Sequence, residues 1–400
     1  MTTQAEQPTK FAALLACATI IIGSVLGLAG IDLVLPSVPE FPEVFGTTIA
    51  RSQLVLAAFV AGSTFGFLLF GSLGSYVGRR KLFIGSLFFY GILSVAGAYA
   101  PNIETLIANR LLQGAAASGS AVLAPGLIRE LFGELGAIRA VSAMGSIESL
   151  VPGLAPIAGA WLHTQYGWKT SFLLTGILVF AICLFVIVRP KLLPSIGTKK
   201  NRNNGSYMKL LKNTTYLRYA LSHALVLGGL LTFVFAAPAV IKETMGGSID
   251  DFIYMQMVGV ATFILFANLS GNFVKRFGIE VVITLGTYIS FLGTLALLAY
   301  AYFGQNNPDH LKYIFWILNS GLGLRGGTGF VRALSAAKED DDRASALIIL
   351  SVTSLASIAT ALFAPFIKVG LTALTGTTCL IVLPAVLLIA FIKPLQDKPE

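Results

Sequence analysis

Charged residues are scarce in this sequence of 400 residues. Asp, Glu, Lys and Arg together make up 12%, which is about half of their usual share in soluble globular proteins. Hydrophobic residues account for 55%, and the mean hydropathy is +0.79. A soluble core could not bury this much apolar surface. The composition therefore excludes a soluble enzyme, a disordered regulator and a nucleic-acid-binding domain, and it indicates a protein of the lipid bilayer.

Cysteine and histidine are equally rare, with three residues of each. The cysteines are far apart within apolar runs, so they form neither a disulfide framework nor a metal-binding pattern. The histidines are also scattered and offer no catalytic cluster. No Gly-x4-Gly-Lys-Ser/Thr loop is present to hold a nucleotide phosphate. We therefore expect no catalytic residues, no metal site and no cofactor, which disfavours an ATP-driven pump and a membrane enzyme.

Long apolar stretches recur along the whole chain, and a spanning helix takes about 20 such residues. Twelve stretches of suitable length lie at 11–35, 50–74, 82–100, 104–128, 140–162, 170–189, 217–241, 251–274, 279–303, 311–334, 343–369 and 372–392. A polar, basic segment separates the sixth from the seventh. The sequence therefore predicts an all-α membrane protein of twelve helices in two six-helix bundles, residues 1–189 and 217–400, joined by a cytoplasmic linker at 190–216.

Lysine and arginine are unevenly distributed among the predicted connections. If the N-terminus is inside, the outer side holds only Arg51, Lys169, Lys242, Lys312 and Lys368. Basic residues accumulate in short cytoplasmic loops, so we expect both termini in the cytoplasm. The same rule explains the formal charge of +9 without a nucleic-acid partner. We expect a multi-pass monomer in the lipid bilayer of the inner (plasma) membrane.

The two halves of the sequence share a glycine pattern. Gly71 and Gly78 follow the second span, and Gly271 and Gly278 follow the eighth, at an offset of 200 residues in both cases. Duplicated helix bundles around a central path, with the substrate bound near the middle of the membrane, are typical of secondary transporters. The repeat therefore favours a transporter of a small-molecule substrate.

The loop after the second span carries a specific motif. It reads Gly71-Ser-Leu-Gly-Ser75-Tyr-Val-Gly78-Arg79-Arg80-Lys81 and resembles the signature loop Gly-x-Leu-x-Asp-x-x-Gly-Arg-Arg/Lys of the major facilitator superfamily. Its glycines let two helix ends approach closely. Ser75 replaces the family's aspartate, which usually pairs with basic groups. We hypothesise that the acidic run Asp340-Asp341-Asp342 supplies the missing partner of Arg79 or Arg80.

Further stretches resemble the twelve-span drug/proton antiporters of that superfamily. The residues Asp32-Leu-Val-Leu-Pro36-Ser-Val-Pro39 resemble their first-span element, and Asn109-Arg110-Leu-Leu-Gln113-Gly114 resembles their fourth-span Arg-x-x-Gln-Gly element. The fifth span is similar to their antiporter signature in the residues Gly145, Glu148, Pro152, Gly153, Pro156 and Gly159. With Arg129-Glu130 and Gly167-Trp168, the pattern is close to the bicyclomycin/chloramphenicol resistance branch.

Four ionisable residues within the predicted spans are candidates for proton coupling or transport, namely Asp32, Arg110, Glu148 and Arg325. Such groups are costly in hydrocarbon, so they usually face a cavity and serve function. Asp32 and Arg110 differ in predicted depth by about one helical turn, so a pair across the first and fourth spans is sterically possible. Each residue also has a structural interpretation: a solvated helix end for Asp32 and a brace for Arg110. The resemblance implies that both take part in proton coupling or in the conformational change linked to it.

The fifth span predicts a functional helix face. Gly145, Glu148, Pro152, Pro156 and Gly159 are spaced 3, 4, 4 and 3 apart, which places them on one stripe of a continuous helix. Small residues permit close helix packing in membranes, so Glu148 is expected to face the transport path or a packing interface. It either binds a proton or a cationic substrate, or it is a protonated structural residue.

Arg325 is predicted deep in the tenth span among glycines. It could attract an anionic substrate, pair with a carboxylate, or brace the bundle. The resemblance implies a proton-coupled antiporter that exports small amphipathic drugs or metabolites by alternating access, with the proton as coupling ion. Import of a nutrient by proton symport, and export of a siderophore-like metabolite, remain alternatives.

Overall fold

The computed structural model describes residues 10–193, 205–338 and 340–396, and every regular element within these ranges is a helix. The long helices are α1 (Lys10–Asp32), α2 (Ile49–Val77), α3 (Arg79–Ala98), α4 (Ile103–Glu148), α5 (Val151–Tyr166), α6 (Lys169–Val188), α7 (Thr214–Thr244), α8 (Ile249–Phe277), α9 (Ile279–Phe303), α10 (Lys312–Ala336), α11 (Asp341–Phe363) and α12 (Leu371–Phe391). Short helices cover Phe41–Phe45 and Tyr207–Leu211, and 3₁₀ turns cover Leu35–Glu40, Pro308–Leu311 and Ala364–Val369. Residues 194–204 of the predicted linker lie outside the described residues.

The helices agree with the spans predicted from hydropathy, and the all-α prediction is confirmed. Ten helical segments of the described chain are individually long and apolar enough to cross a membrane. The two helices outside this group are α5, with 16 residues, and α10, which contains five glycines and two arginines. Both helices coincide with predicted spans. They fall outside the group of ten because α5 is short and α10 is polar.

The fifth span is built from two helices and not from one. Gly133 has φ 65° and ψ −169° and divides α4, so the residues before it form the fourth span and those after it begin the fifth. The fifth span then turns at Ser149 and Leu150 and resumes as α5. Pro152 lacks the N–H that would bond to the carbonyl of Glu148 in a continuous helix. The proline therefore explains why the helix is interrupted directly after Glu148.

Contacts divide the chain into two compact units. Unit 1 comprises Met1–Gly133 and Ile147–Asn204, whereas unit 2 comprises Glu134–Ser146 and Gly205–Glu400. The segment 134–146 belongs to unit 2, where Ser142 Oγ lies 3.1 Å from Ser270 Oγ. The predicted domain boundaries at 189 and 217 stay a prediction.

The glycine repeat has the same local geometry at both of its positions. Gly78 lies between α2 and α3 with φ 93°, and its N–H donates to the carbonyl of Gly74 at 3.3 Å. Gly278 lies between α8 and α9 with φ 85°, and its N–H donates to the carbonyl of Val274 at 2.8 Å. A side chain is strained at such positive φ. The two loops are therefore structural repeats, as their sequence offset indicates.

Close backbone contacts fix α4 against α2 within unit 1. A Cβ added to Gly62 would overlap the carbonyl oxygen of Leu111, and one added to Gly114 would overlap that of Phe59. Glycine allows helix backbones to approach this closely in membranes. The contact holds Arg110, one turn before Gly114, at a fixed position between neighbouring helices.

Candidate functional site

Glu148 and Ser24 form a polar pair inside unit 1. The Ser24 hydroxyl donates to Glu148 Oε1 at 2.6 Å. Ser24 lies in the middle of α1 and is only 2% exposed, whereas Glu148 ends α4 and is half-buried. The carboxyl group of Glu148, in the fifth span, therefore accepts a hydrogen bond from a serine of the first span. The sequence did not identify this partner.

The backbone around Glu148 is interrupted. The N–H of Leu150 donates to the carbonyl of Ile147 at 3.1 Å, and the N–H of Gly153 donates to that of Leu150 at 3.2 Å. These bonds replace the regular helical pattern over one turn. Interrupted helices in transporters occur where substrates and coupling ions bind. The break thus places Glu148 at the kind of backbone irregularity that such sites use.

The turn at 149–150 divides the predicted stripe, so its residues do not lie on one continuous helix. Past the turn, Pro152 and Gly153 are exposed and Pro156 is half-buried. Gly145 lies before the turn in unit 2, where the ring of Phe263 is the nearest group to an added Cβ. The role of the stripe residues stays a prediction.

One face of α5 packs against α1. Val151, Ala155 and Gly159 are buried at intervals of four residues, and a Cβ added to Gly159 would overlap the backbone of Leu33. Ala29 belongs to the same apolar cluster as Val151 and Ala155. The stripe residue Gly159 therefore packs closely against α1, whereas Pro152 and Pro156 lie one position beyond the buried residues of this face.

Arg110 is fully buried and binds neutral groups from several helices. Its Nη1 donates to the carbonyl of Gly30 at 3.1 Å and to Gln113 Oε1 at 2.7 Å, while Nε donates to the carbonyl of Val55 at 3.3 Å. The guanidinium also lies 4.2 Å from the ring centre of Phe59, a favourable cation–π contact. Arg110 therefore connects α1, α2 and α4.

Asp32 and Arg110 form no ion pair, so the pairing that their similar depth made possible is absent. Asp32 is the last residue of α1 and is half-buried. The guanidinium of Arg110 is instead directed at the carbonyl of Gly30 and at Gln113, whose Nε2 in turn donates to Ser94 Oγ at 2.7 Å. Depth along the helix axis did not reveal the direction of the side chains.

The signature loop contains an ion pair that the sequence did not predict. Arg79 Nη1 binds Glu130 Oε1 within unit 1, while Gly71 is buried and Arg80 is half-buried. The side chain of Ser75 lies outside the described part of the chain. In unit 2, Asp340 binds Arg343 at 2.8 Å. The hypothesis that the acidic run binds Arg79 or Arg80 stays a prediction.

Unit 2 has a related ion pair with the charges exchanged. Arg332 Nε donates to Glu280 Oε1 at 3.0 Å, and its Nη1 donates to Glu134 Oε1 at 3.2 Å. Glu280 stands 201 residues after Arg79, and Arg332 stands 202 residues after Glu130. The acid of unit 2 thus lies in the first turn of α9, as the base of unit 1 lies in the first turn of α3. Neither offset equals the 200 residues of the glycine repeat, so the repeat did not identify the pair.

Arg325 is fully buried in unit 2. Its Nη1 donates to the carbonyl of Ser222, and its Nη2 donates to the Ser222 hydroxyl at 3.0 Å. Among the described residues, the Nε atom has no hydrogen-bond partner. The described part of the chain also contains no group of three or more His, Cys, Asp or Glu residues that could hold a metal ion.

The chain matches a known family over most of its length. The model of the Major Facilitator Superfamily matches residues 20–339. A similar relative is the uncharacterized MFS-type transporter YdgK of Bacillus subtilis, which is 33% identical over 267 residues, or 64% of each chain. The bicyclomycin resistance protein homolog of Haemophilus influenzae is 27% identical over 290 residues, covering 70% of this chain and 71% of the relative. The chloramphenicol resistance protein of Pseudomonas aeruginosa is 26% identical over 279 residues, covering 68% and 65%.

Those matches span about two thirds of each relative, whereas similar solved structures align over nearly their whole length. FucP, a superfamily transporter in the outward conformation, aligns with a TM-score of 0.71 at 14% identity, covering 95% of this chain and 99% of FucP. A bacterial homologue of the iron transporter ferroportin aligns with a TM-score of 0.69 at 15% identity, covering 94% and 98%. Identity this low shows the fold alone. The predicted family and fold are confirmed: the chain is a multi-pass membrane transporter, not an enzyme, and it belongs to the Major Facilitator Superfamily.

Proposed function

We propose that this transporter exports small amphipathic drugs or metabolites in exchange for protons. The observation that carries the proposal is the hydrogen bond between Ser24 and Glu148, because it holds a carboxyl group beside a break in a membrane-spanning helix. The names of two similar proteins, which refer to bicyclomycin and chloramphenicol resistance, support export of compounds of this kind.

Ser24 suits a residue that must bind and release a proton. A serine hydroxyl is both a donor and an acceptor. It donates to the carboxylate of Glu148 and, after rotating, accepts from the protonated acid. Glu148 therefore keeps a hydrogen-bond partner in both states, so neither state leaves its carboxyl unpaired.

Exchange of substrate for protons follows if the proton and the substrate compete for binding to the transporter. Substrate binding on the inner side then favours the deprotonated carboxylate, and protonation on the outer side favours substrate release. A ligand shifts a conformational equilibrium only through its different affinities for the states. In this scheme Asp32 and Arg110 act on coupling, Arg110 by fixing α1 against α2 and α4. The proton is the coupling ion, and no other cofactor takes part.

The proposal includes a location and an orientation. The transporter works as a monomer in the lipid of the bacterial inner membrane, with both termini in the cytoplasm. The bacterial origin of the similar proteins supports the inner membrane, and the distribution of Lys and Arg supports the orientation.

Transport by purified protein in liposomes tests the proposal. We expect an imposed proton gradient to drive chloramphenicol or bicyclomycin against the direction of proton flow. Glu148→Gln keeps the size and the hydrogen bond of the side chain but cannot release a proton, so gradient-driven accumulation is lost. Glu104→Gln is the matched control, because Glu104 forms an exposed pair with Arg51, and it should transport like the original protein.

Two results would reject the proposal. Uptake of substrate in the direction of proton flow would identify a symporter. Gradient-driven transport that is equal in the original protein and in Glu148→Gln would leave Glu148 a structural role only.

A further inference from the structure

The residues that follow α12 are bound by side chains of other helices in unit 2. The helix ends at Phe391, and residues 392–396, which we call the C-terminal strap, form neither helix nor strand. The N–H of Leu395 donates to the hydroxyl oxygen of Tyr219 at 2.8 Å, and Nη2 of Arg332 donates to the carbonyl of Leu395 at 2.8 Å. Both backbone groups of one strap residue are therefore bound, one by α7 and the other by α10.

The two side chains that hold the strap are buried. Tyr219 is 0% exposed and Arg332 is 2% exposed, whereas Leu395 is half-buried and packs on the apolar cluster that includes Tyr219. The hydroxyl of Tyr219 also donates to Glu280 Oε1 at 2.6 Å. Because a hydroxyl is both a donor and an acceptor, Tyr219 binds Glu280 and the strap at the same time. Removal of the strap would take one partner from each of these buried side chains.

The strap also completes the orientation of Arg332. Its three nitrogens donate to different acceptors: Nε to Glu280 Oε1 at 3.0 Å, Nη1 to Glu134 Oε1 at 3.2 Å, and Nη2 to the carbonyl of Leu395. A guanidinium is a rigid, planar fork. Because Glu280 and Leu395 fix two of the nitrogens, the direction of the third nitrogen, towards Glu134, is fixed as well.

Glu134 lies at the start of a helical segment. It follows Gly133, where φ is 65° and α4 is divided, and residues 134–146 belong to unit 2. The segment continues to Glu148, the last residue of α4. The bond from Arg332 therefore holds the first residue of the helical segment that ends at Glu148.

We propose that the C-terminal strap is a releasable restraint: by binding Tyr219 and Arg332, it keeps the pair of Arg332 and Glu134 formed and so holds residues 134–146. Once the strap is released, Nη2 of Arg332 loses its acceptor. The guanidinium can then turn about its bond to Glu280, and Glu134 is held for a smaller fraction of the time. Tyr219 and Arg332 act as positioning residues in this restraint, whichever compound the protein transports.

Hydrogen–deuterium exchange of the purified protein, followed by mass spectrometry, tests the restraint. Deleting residues 394–400 removes Leu395 and both of its hydrogen bonds. Because one of these bonds comes from a charged group, we expect the amides of residues 134–146 to exchange about tenfold faster. Deleting residues 397–400 leaves Leu395 in place and is the matched control. Its exchange in 134–146 should equal that of the original protein.

A pair of point variants keeps the test decisive if the shortened chain does not fold. Tyr219→Phe removes the hydroxyl that binds Leu395 and Glu280. Tyr216→Phe is the matched control, because this buried hydroxyl, one turn earlier on α7, donates to the carbonyl of Ala344 at 2.9 Å. We expect faster exchange of residues 134–146 in Tyr219→Phe and not in Tyr216→Phe.

A second segment separates release of the strap from a general loss of stability. Residues 312–322, at the start of α10, should exchange at the same rate in every variant, and faster exchange confined to 134–146 supports the restraint. An unchanged rate in 134–146 after the deletion of 394–400, or equal acceleration of both segments, would overturn it. Equal acceleration of 134–146 in Tyr219→Phe and Tyr216→Phe would do the same. Since the measurement needs neither substrate nor a proton gradient, its failure is distinguishable from a failure of the export function.

Discussion

Arg110 of unit 1 and Arg325 of unit 2 are both fully buried, yet their surroundings differ. Arg110 donates to groups of α1, α2 and its own helix, and it lies over the ring of Phe59. Among the described residues Arg325 donates to Ser222 alone. Nε of Arg325 and Nη2 of Arg110 both have no partner in this part of the chain. Neutral dipoles and an aromatic ring stabilise the first charge, whereas a single serine partly stabilises the second. Burial alone therefore does not assign a role to an intramembrane arginine.

The comparison concerns how strongly each arginine holds its helix bundle together. A buried cation that donates to groups of several helices supports more contacts than one that donates to a single residue. On this basis Arg110 holds α1, α2 and α4 together, whereas Arg325 joins α10 to α7. The variants below should therefore affect the two units in different ways.

The largest effect on stability is expected from Arg110→Met. The substitution leaves the carbonyl of Gly30 and the side chain of Gln113 without their donor inside unit 1. Because buried acceptors without a donor are costly, we expect a loss of about 2–4 kcal/mol in the free energy of unfolding. Denaturation in detergent measures it. A loss of less than about 1 kcal/mol would show that Arg110 is not a brace.

A smaller loss is expected from Gly114→Ala, one turn after Arg110. Its new methyl group would overlap the carbonyl of Phe59, and forced overpacking costs about 1–3 kcal/mol. Gly326→Ala, next to Arg325, is the control, because the nearest atom to its Cβ is 3.8 Å away. The same denaturation experiment should leave Gly326→Ala unchanged or slightly stabilised. Equal losses in both variants would remove the distinction between the two helix contacts.

The smallest effect is expected from Arg325→Met. Replacing an uncompensated buried charge by an apolar group of similar length is often neutral or stabilising. The hydrogen bonds to Ser222 are lost in exchange, so the net change should stay within about 1 kcal/mol. A destabilisation as large as that of Arg110→Met would mean that both arginines are braces.

Hydropathy and composition predicted most of the fold. The apolar stretches agree with the helices except at the fourth and fifth spans, where α4 continues into the fifth span and α5 completes it. The glycine repeat predicted two loops whose geometry agrees at Gly78 and Gly278. Gly370, with φ 87°, separates α11 from α12, at the place where two adjacent spans were divided. These features depend on residue type along the chain, which the sequence states directly.

The partners of the site residues could not be predicted in the same way. Ser24 is one of many serines in apolar helices, and nothing in its spacing points to Glu148. The acceptors of Arg110 at Gly30 and Val55 are backbone carbonyls, which every residue has. The break beside Glu148 was the one missed feature with a signal, because Pro152 removes the helical bond to that residue's carbonyl.

The central claim is that Glu148 exchanges a proton for substrate, and proton release on substrate binding tests it most directly. Purified protein in weakly buffered solution, with a pH-sensitive dye, is mixed with chloramphenicol or bicyclomycin. The account predicts that the original protein and the Glu104→Gln control release protons, and that Glu148→Gln binds the compound without releasing any. Equal proton release by Glu148→Gln, or binding by the original protein without release, would contradict it.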